Sequence, residues 1–437
     1  MQNKSFSWPR RARAAALIWL AISGYCGVTA AANDSFQHDS QLTPEQLVEA
    51  VLDRNPDIPA MQAAWEAARS RIAQGEAFDD PMLSYGFAPQ TAGASGMDIG
   101  QKLSISQRLP WPGKRQLRGD AARLEADAAQ QNIESVRLKL AEAARVAFAD
   151  WYFVHAAIRV NAVNKSLLEE IRNIAQVKYG AGRASKQDVL RAEVEVALLE
   201  HRNIVLERQR KAALAMLNTL LQRQPDTPLP PPSALPGGDA LPGVVQLRAM
   251  ALQNRPDIHA VNARVQAGQQ RVKLSERNTL PDFQLSADYN SLWMRDEQRL
   301  MVGVGINIPL SAKHRAAEDE ARADLLRLDY TRQEVVVQLQ GEVQQAYDQV
   351  VESQHVLALY QDRLLPLAEE NLAAARSDYE AGRGNFLDMI GAEKNLMQAR
   401  LQLEQARADH YRRRASLERA VGGPQALQSI QTGGKSQ

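Results

Sequence analysis

Residues 179–188 read YGAGRASKQD, and 200 residues later residues 379–388 read YEAGRGNFLD. Both stretches contain Tyr-x-Ala-Gly-Arg and end on an aspartate, Asp188 or Asp388. Glycine tolerates the left-handed backbone conformation that often closes a helix, so Gly182 and Gly382 are each predicted to end one helix. The two aspartates are predicted to lie in the first turn of the following helix, where a carboxylate is favourable. The chain is therefore expected to contain two helical hairpins.

The hairpins belong to a unit that the chain contains twice. Residues 55–58 read NPDI and residues 255–258 read RPDI, at an offset of 200. Residues 107–114 read QRLPWPGK and residues 306–313 read INIPLSAK, at an offset of 199. A duplication followed by small insertions explains several matches at nearly one spacing. The predicted organisation is a signal peptide over 1–32, a first repeat over 33–224, a proline-rich linker over 225–243, a second repeat over 244–423 and a flexible C-terminal tail over 424–437.

Long helices dominate each repeat. No proline occurs from Gly113 to Gln224, and residues 113–179 are predicted to form one helix of 67 residues, about 100 Å long at 1.5 Å per residue. Apolar residues recur at spacings of three and four along both arms of the hairpins, a pattern typical of antiparallel coiled coils. Pro366 lies inside the second long helix and is expected to bend it rather than end it.

Two short stretches in each repeat alternate between apolar and polar residues, which predicts four amphipathic strands. Residues 283–290 read FQLSADYN, for example, with every odd position apolar or aromatic. Such strands have the length that crosses a bilayer when tilted. The apolar side chains predicted to face lipid are Tyr85, Phe87, Phe283, Tyr289, Val302 and Val304. The polar side chains predicted to line a lumen are Ser104, Gln284, Ser286 and Asn307.

Four strands are too few to close a barrel, and lipid does not tolerate an open sheet edge. Copies of the chain must therefore pool their strands: two copies would supply eight and three would supply twelve, the larger number leaving a lumen. The alternative is a soluble sheet packed on a helical stalk, in which the same alternation would reflect an ordinary core.

The composition and the N-terminus narrow the class of protein. The 437 residues include 52 Lys and Arg against 51 Asp and Glu, so the net charge of +1 gives no field to hold nucleic acid. Arginines at 10–13, an apolar run over 14–22 and small residues at 30–32 indicate a secretory signal peptide. The single cysteine, Cys26, lies upstream of the expected cleavage site, and the residues before it do not fit a lipid-anchor motif.

The sequence indicates no enzyme and no resident cofactor. It has no Gly-x-Ser-x-Gly, no phosphate-binding glycine loop and no His-Glu-x-x-His, and its histidines are scattered without pairs at i, i+4. No catalytic residue, cofactor site or metal ligand is therefore predicted.

These motifs, in this order and spacing, resemble the outer-membrane efflux proteins of the TolC type. The resemblance covers about residues 41–423 and implies a mainly α-helical homotrimer with a twelve-stranded membrane β-barrel, four strands per chain, continued by a long antiparallel coiled-coil α-helical barrel. It implies a passive exit duct in the cell outer membrane, surrounded by lipid. Its expected partners are a periplasmic adaptor protein and an inner-membrane pump of the RND type. The segment Pro110–Lys114 and the non-lipidated N-terminus resemble the CzcC- or CusC-like heavy-metal branch.

The resemblance assigns roles to particular residues. The hairpin turns become periplasmic tips that dock the adaptor, through Gly180, Ala181, Gly182, Arg183, Ser185, Gly382, Arg383 and Gly384. The alternative is that the glycines merely close a turn, and Asp188 and Asp388 are interpreted as helix-start acids. Rings of carboxylates would select cations at a constriction, and the candidates are Glu369, Glu370, Asp378 and Glu380.

Two alternatives stay open from the sequence. One is a soluble periplasmic coiled-coil adaptor or scaffold, which should carry one hairpin between compact β-rich domains rather than two hairpins alternating with two strand pairs. The other concerns the solute, since drugs or other small organic molecules are as compatible with a passive duct as metal cations are.

Overall fold

The structure is a computed structural model, and it describes residues 36, 40–89, 100–237, 241–291 and 299–424. The predicted signal peptide, with Cys26, and all but the first residue of the predicted tail lie outside the described residues. None of the helices in these ranges carries an apolar run long enough to cross a lipid bilayer.

The same order of elements occurs twice: two shorter helices, two strands and a long helical hairpin. In the first half these are α1 (Pro44–Arg54), α2 (Asp57–Glu76), β1 (Met82–Ala88), β2 (Gly100–Leu109), α3 (Lys114–Gly180) and α4 (Lys186–Leu220). In the second half they are α5 (Val244–Asn254), α6 (Pro256–Arg277), β3 (Asp282–Asn290), β4 (Leu300–Asn307), α7 (Lys313–Leu359), α8 (Leu365–Glu380) and α9 (Phe386–Val421).

Asn55 and Arg255, which precede the matching prolines Pro56 and Pro256, each bind the end of the last helix of their own half. The Asn55 side-chain amide donates to the carbonyl oxygen of Leu220, the last residue of α4, at 3.5 Å. Arg255 donates through Nη1 to the carbonyl oxygens of Arg419 and Ala420, near the end of α9, at 3.1 and 3.4 Å. Helix C-termini leave carbonyl groups without helical partners, and each half satisfies one end in this way.

Helix α3 runs without a break for 67 residues, the length predicted from the sequence. Its counterpart in the second half is interrupted by one π-helical turn, Tyr360–Leu364, between α7 and α8. Residues 313–380 contain one residue more than 114–180, and a π turn is the usual way for a helix to absorb one inserted residue. Pro366 lies in the first turn of α8 and does not end the helix, as expected from the sequence.

The core lies along the seams between the long helices. In the first half Phe148 and Trp151 of α3 are buried against α1 and the end of α4. The proline-rich segment is fixed to this core, because the Trp151 indole donates to the Pro230 carbonyl at 3.0 Å and the Leu42 amide donates to the Pro231 carbonyl at 2.9 Å.

The four strands form one antiparallel sheet in the order β1-β2-β3-β4. Residues directly opposite each other point to the same side of a sheet, and the registers place most apolar side chains of the four strands on one face, with Met82 and Met301 on the other. That face carries Leu83, Tyr85, Phe87, Leu103, Ile105, Phe283, Leu285, Tyr289, Val302, Val304 and Ile306. Val302 is 75% exposed and Val304 is 68% exposed, so the face is not covered by any helix of the described chain.

Candidate functional site

The first hairpin turn is built as its sequence predicted. Gly182 has φ of +71°, in the left-handed region, two residues after the end of α3. The Ser185 hydroxyl accepts from the Asp188 amide, and the Asp188 carboxylate accepts from the Ser185 amide, each at 3.2 Å. This reciprocal arrangement is a capping box, and it starts α4.

The second turn uses the same backbone with different side chains. Gly382 has φ of +76°, and the Asn385 side-chain oxygen accepts from the Asp388 amide at 2.9 Å to start α9. Arg383 pairs with Asp378 at 3.1 Å across the turn. Gly384 allows a close approach, since a Cβ atom there would lie 3.1 Å from the Cβ of Asp378.

The two turns are fastened to each other. The Lys178 ammonium, from the end of α3, donates to the carbonyl oxygens of Tyr379 and Glu380 and lies 4.3 Å from the centre of the Tyr379 ring. The buried Tyr379 ring also meets Phe386 at 5.5 Å between ring centres. Burial, together with the nearby Asp188, raises the pKa of Tyr379 above its ordinary value. The turns therefore form one composite tip rather than two independent loops.

The tip presents most of its predicted docking residues to solvent. Gly384 and Ala184 are half-buried, while the other glycines and both arginines of the two turns are exposed. A Cβ atom on Gly180 or Gly182 would meet no atom within 4 Å. The fold of the chain thus gives no internal packing reason for a small residue at 180, which ends α3.

Three of the four predicted constriction acids are held by arginines in the single chain. Glu369 pairs with Arg400 at 3.2 Å. Glu380 pairs with Arg376 at 2.9 Å, and Arg376 also reaches Glu170 of α3 at 2.7 Å. Asp378 pairs with Arg383, as described above, and Glu370 is exposed on the same helix. All four lie on α8 within about three turns of the tip, where copies of the chain could bring them together.

The sequence did not single out one acid that the structure buries in the helical region. Glu393 on α9 is 1% exposed, and its Oε1 atom has no hydrogen-bond partner in the described part of the chain. Burial, and secondarily the nearby Glu195, raises the pKa of Glu393 to about 7. The signal was present in the sequence, since stepping three residues back along the seam from Leu396 arrives at this glutamate.

One carboxylate, that of Asp282, connects residues of the sheet and of the helices where the two meet. Asp282, the first residue of β3, accepts from the ammonium of buried Lys114 at 2.7 Å, from Arg108 at 2.8 Å and from the Trp111 amide at 3.0 Å. The Trp111 ring stacks on Phe283 at 5.6 Å. These contacts lock the end of β2 and the start of α3 in the first half to the start of β3 in the second.

The polar face of the sheet carries the predicted lumen residues. Ser104, Gln284, Ser286 and Asn307 lie on the side opposite the apolar face. There the Ser104 hydroxyl donates to Asp288, which Lys102 approaches at 3.6 Å. All six residues predicted to face lipid share the apolar face, so the sheet has the two sides that a channel wall needs. Within the described ranges no cluster of three or more His, Cys, Asp or Glu side chains is placed to hold a metal ion.

Comparison with known families finds a match over most of the chain. The model of the family described as outer membrane efflux protein matches residues 47–222 and 247–423. A pyoverdine export outer membrane protein, OpmQ of Pseudomonas putida, is 23% identical over 86% of this chain and 80% of its own length. The cobalt-zinc-cadmium resistance protein CzcC of Cupriavidus metallidurans is 24% identical over 71% of this chain and 74% of its own length.

Solved structures share the fold. The outer membrane protein VceC of Vibrio cholerae superposes with a TM-score of 0.72 at 19% identity, covering 87% of this chain and 96% of its own. CusC superposes with a TM-score of 0.73 at 17% identity, covering 87% of this chain and 92% of its own. The mainly helical fold with four antiparallel strands per chain is thus the fold of known channels of this type, as the sequence predicted.

Proposed function

The chain belongs to the outer membrane efflux protein family, and from that premise we propose that three copies form the exit channel of a tripartite efflux system. Three copies would pool twelve strands in the outer membrane and continue them as a helical tunnel across the periplasm. Solutes would pass through the channel without chemical change.

One observation carries this proposal: a sheet with an exposed apolar face, a polar face and two open edge strands stands at the end of very long helices. The strands have 7, 10, 9 and 8 residues, close to the length that crosses a bilayer at a tilt. A soluble adaptor or scaffold would leave that apolar face in water, where a patch of this kind favours aggregation.

Fractionation of cells that express the full-length chain tests the proposal. We expect the protein in the outer membrane as a trimer that resists SDS until it is heated. Recovery as a monomer in the periplasmic wash would overturn the channel and favour the adaptor or scaffold. Sequencing of the mature N-terminus in the same preparation tests the predicted removal of residues 1–32.

The composite tip is the proposed docking surface for a periplasmic adaptor, which links the channel to an inner-membrane pump of the RND type. Small residues let backbones approach closely, and the exposed arginines Arg183 and Arg383 supply charge that sets the register of docking. The test is Gly180→Arg, which should abolish copurification of the adaptor while the trimer remains. Gly180→Ala is the matched control, because it keeps the residue small and its Cβ would meet no atom within 4 Å in the chain, so copurification should be unchanged.

Heavy-metal cations are the proposed solute, on the basis of the segment Pro110–Lys114 and the relative named for cobalt, zinc and cadmium resistance. In a trimer, Glu369, Glu370, Asp378 and Glu380 would form carboxylate rings that favour cations. The relative named for pyoverdine export matches equally well, so organic solutes are the alternative. A deletion strain should lose tolerance of Zn, Co, Cd, Cu or Ag; unchanged metal tolerance with lost drug tolerance would reject the metal assignment and leave the channel intact.

A further inference from the structure

The internal repeat gives information about contacts between copies. Helix α3 packs between α2 of its own half and α6 of the other half, whereas α7 packs on α6 and exposes large apolar side chains such as Tyr330 and Val337. Strands β2 and β3 pair across the two halves, while β1 and β4 are the edges of the sheet. The contacts that join the first half to the second are thus present in one chain, and those that would join the second half to another first half are not.

The strand registers determine which residues correspond. Ser106 corresponds to Gly305 at the offset of 199 that relates the ends of β2 and β4. Ser106 lies opposite Met82, and Gly305 lies opposite Gln284, so Met82 corresponds to Gln284. Strands β1 and β3 are therefore related by an offset of 202 rather than 200. With this offset Asp80 is the counterpart of Asp282.

This correspondence pairs two exposed charged residues. Lys114 is the counterpart of Lys313, and the Lys114–Asp282 pair at 2.7 Å is buried. Both Lys313 and Asp80 are exposed in the single chain, and neither forms an ion pair with any residue that the structure describes. Leu310, the counterpart of Trp111, is 88% exposed, and Pro81 is the counterpart of Phe283, on which Trp111 stacks.

The helices repeat this complementarity at a second point. Arg271 of α6 pairs with Glu125 of α3 at 2.9 Å across the two halves. The counterparts are Arg71 of α2 and Asp324 of α7, which keep the opposite charges. The cross-half hydrogen bond from Ser135 to Asp257 has no such counterpart, because Glu334 and Asp57 are both acidic. The exposed surface of the second half is therefore complementary to that of the first half at two potential ion pairs, and not along its whole length.

We propose that the second half of each copy binds the first half of the next copy in the geometry that joins the two halves of one chain, with Lys313 paired to Asp80 and Asp324 paired to Arg71 of that next copy. Strand β4 then pairs antiparallel with β1 of the next copy, with Gly305 opposite Ser84 and Val304 opposite Tyr85. This register keeps both apolar rows on one face, as a wall in lipid requires. The inference rests on the proposed channel and specifies its subunit contacts.

Disulfide crosslinking tests the register. In a Cys26→Ser background, Gly305→Cys with Ser84→Cys places two cysteines directly opposite, within the Cα separation that a disulfide spans. A Cβ atom at 305 meets its neighbours at an ordinary 3.7 Å, so the pair perturbs little. The control is Gly305→Cys with Ala88→Cys, which is four residues out of register and about 13 Å too far along the strand.

We expect oxidation in isolated outer membranes to link the first variant into covalent trimers and to leave the second unlinked. Crosslinking of the control instead, or of neither pair in membranes where trimers are present, would overturn the register while the channel stands. Absence of trimers from the unaltered chain would overturn the channel itself.

A charge exchange tests the ion pair. Lys313→Asp and Asp80→Lys should each lower the amount of trimer that survives a fixed SDS challenge by about tenfold, as expected for an interfacial charge left facing a like charge. The double variant should restore at least half of the unaltered amount. Two single effects that simply add in the double variant would show that the residues are not partners.

Discussion

The two halves of the molecule differ most at matched positions where only one half buries an ionisable side chain. Arg255 is buried and bridges Asp257, Glu342 and the end of α9. Its counterpart Asn55 is also buried but carries no charge, and it makes a long hydrogen bond to the end of α4 and accepts a second from the Asp57 amide at 3.0 Å. Glu393 is buried, whereas its counterpart Glu193 is exposed. Sequence similarity between repeats therefore does not carry over to the environment of each residue.

The reason lies in what surrounds each half. The first half packs its long helix against helices from both halves, while part of the second half faces outward in the single chain. A residue of one repeat contacts the other repeat where the fold of the chain places a neighbour beside it. Where the fold places no neighbour there, the residue stays exposed and can contact another copy. Substitutions at matched positions in the two halves should therefore have unequal effects.

The largest difference is expected at the residues that close each half. Arg255→Ala removes the buried cation that pairs with Asp257 and leaves two helix-end carbonyl groups without that donor, while Glu342 keeps its pair with Arg419. The loss should lower the free energy of unfolding by about 3–5 kcal/mol. Asn55→Ala removes two hydrogen bonds of an uncharged side chain and should cost about 1–2 kcal/mol. Chemical denaturation of the detergent-solubilised protein measures both.

The control is Arg255→Asn, which introduces the residue found at the matching position of the first half. Its loss of free energy of unfolding should lie between those of Arg255→Ala and Asn55→Ala. Equal effects of Arg255→Ala and Asn55→Ala would show that the buried network is not what distinguishes the halves.

The second difference concerns the buried glutamate and has a defined pH dependence. Because the folded-state pKa of Glu393 is about 7 against an ordinary 4.5, the protonated side chain stabilises the fold at low pH and that contribution is lost as the pH rises between about 4.5 and 7. Glu393→Gln should therefore stabilise the helical region above pH 7 by on the order of 2–3 kcal/mol and leave stability below pH 4.5 nearly unchanged.

Hydrogen exchange of the amides in α9 as a function of pH measures this effect. Glu193→Gln is the matched control and should change neither the exchange rates nor their pH dependence, because its side chain is exposed. If both variants behave alike, the carboxyl of Glu393 is solvated in the assembled protein.

Local patterns predicted the elements well because they act over a few residues. The hairpin glycines, the proline-free run through α3 and α4 and the alternation in the strands all act on the backbone conformation of nearby residues. The relation between the halves was not accessible in the same way. A strand shifted by two residues keeps every side chain on its face, so the alternation of apolar and polar residues alone does not reveal that Asp80 corresponds to Asp282.

The candidate site was predicted in part for the same reason. The tip residues follow from the turn motif, but the fastening of one tip to the other by Lys178 depends on how the two hairpins pack. The burial of Glu393 likewise depends on which seam it meets, since the same position in the first half is exposed.

A smaller effect is expected at the hairpin turns, where the halves agree. Gly182→Ala and Gly382→Ala each force an alanine into the left-handed region, which should cost about 1–2 kcal/mol in either turn. Gly384→Ala should add a steric cost only in the second turn, since a Cβ there lies 3.1 Å from the Tyr379 amide nitrogen, whereas the first turn already carries Ala184. The rate of proteolytic cleavage at each tip is the measurement, and a harmless Gly384→Ala would show that the second turn relaxes easily.

The smallest effect is expected at the π turn, where the halves differ by one residue. Pro366 lacks an amide donor, and its ring would clash with a carbonyl one turn earlier, so either the proline or the extra residue could hold the turn open. If the extra residue is the cause, Pro366→Ser, which installs the residue found at position 166, should change the free energy of unfolding by less than about 1 kcal/mol and leave amide exchange over 360–364 fast. Deleting Gln361 in that background should then slow exchange to the rate of the matching segment of α3. If Pro366→Ser alone slows it, the proline and not the insertion distinguishes the two hairpins.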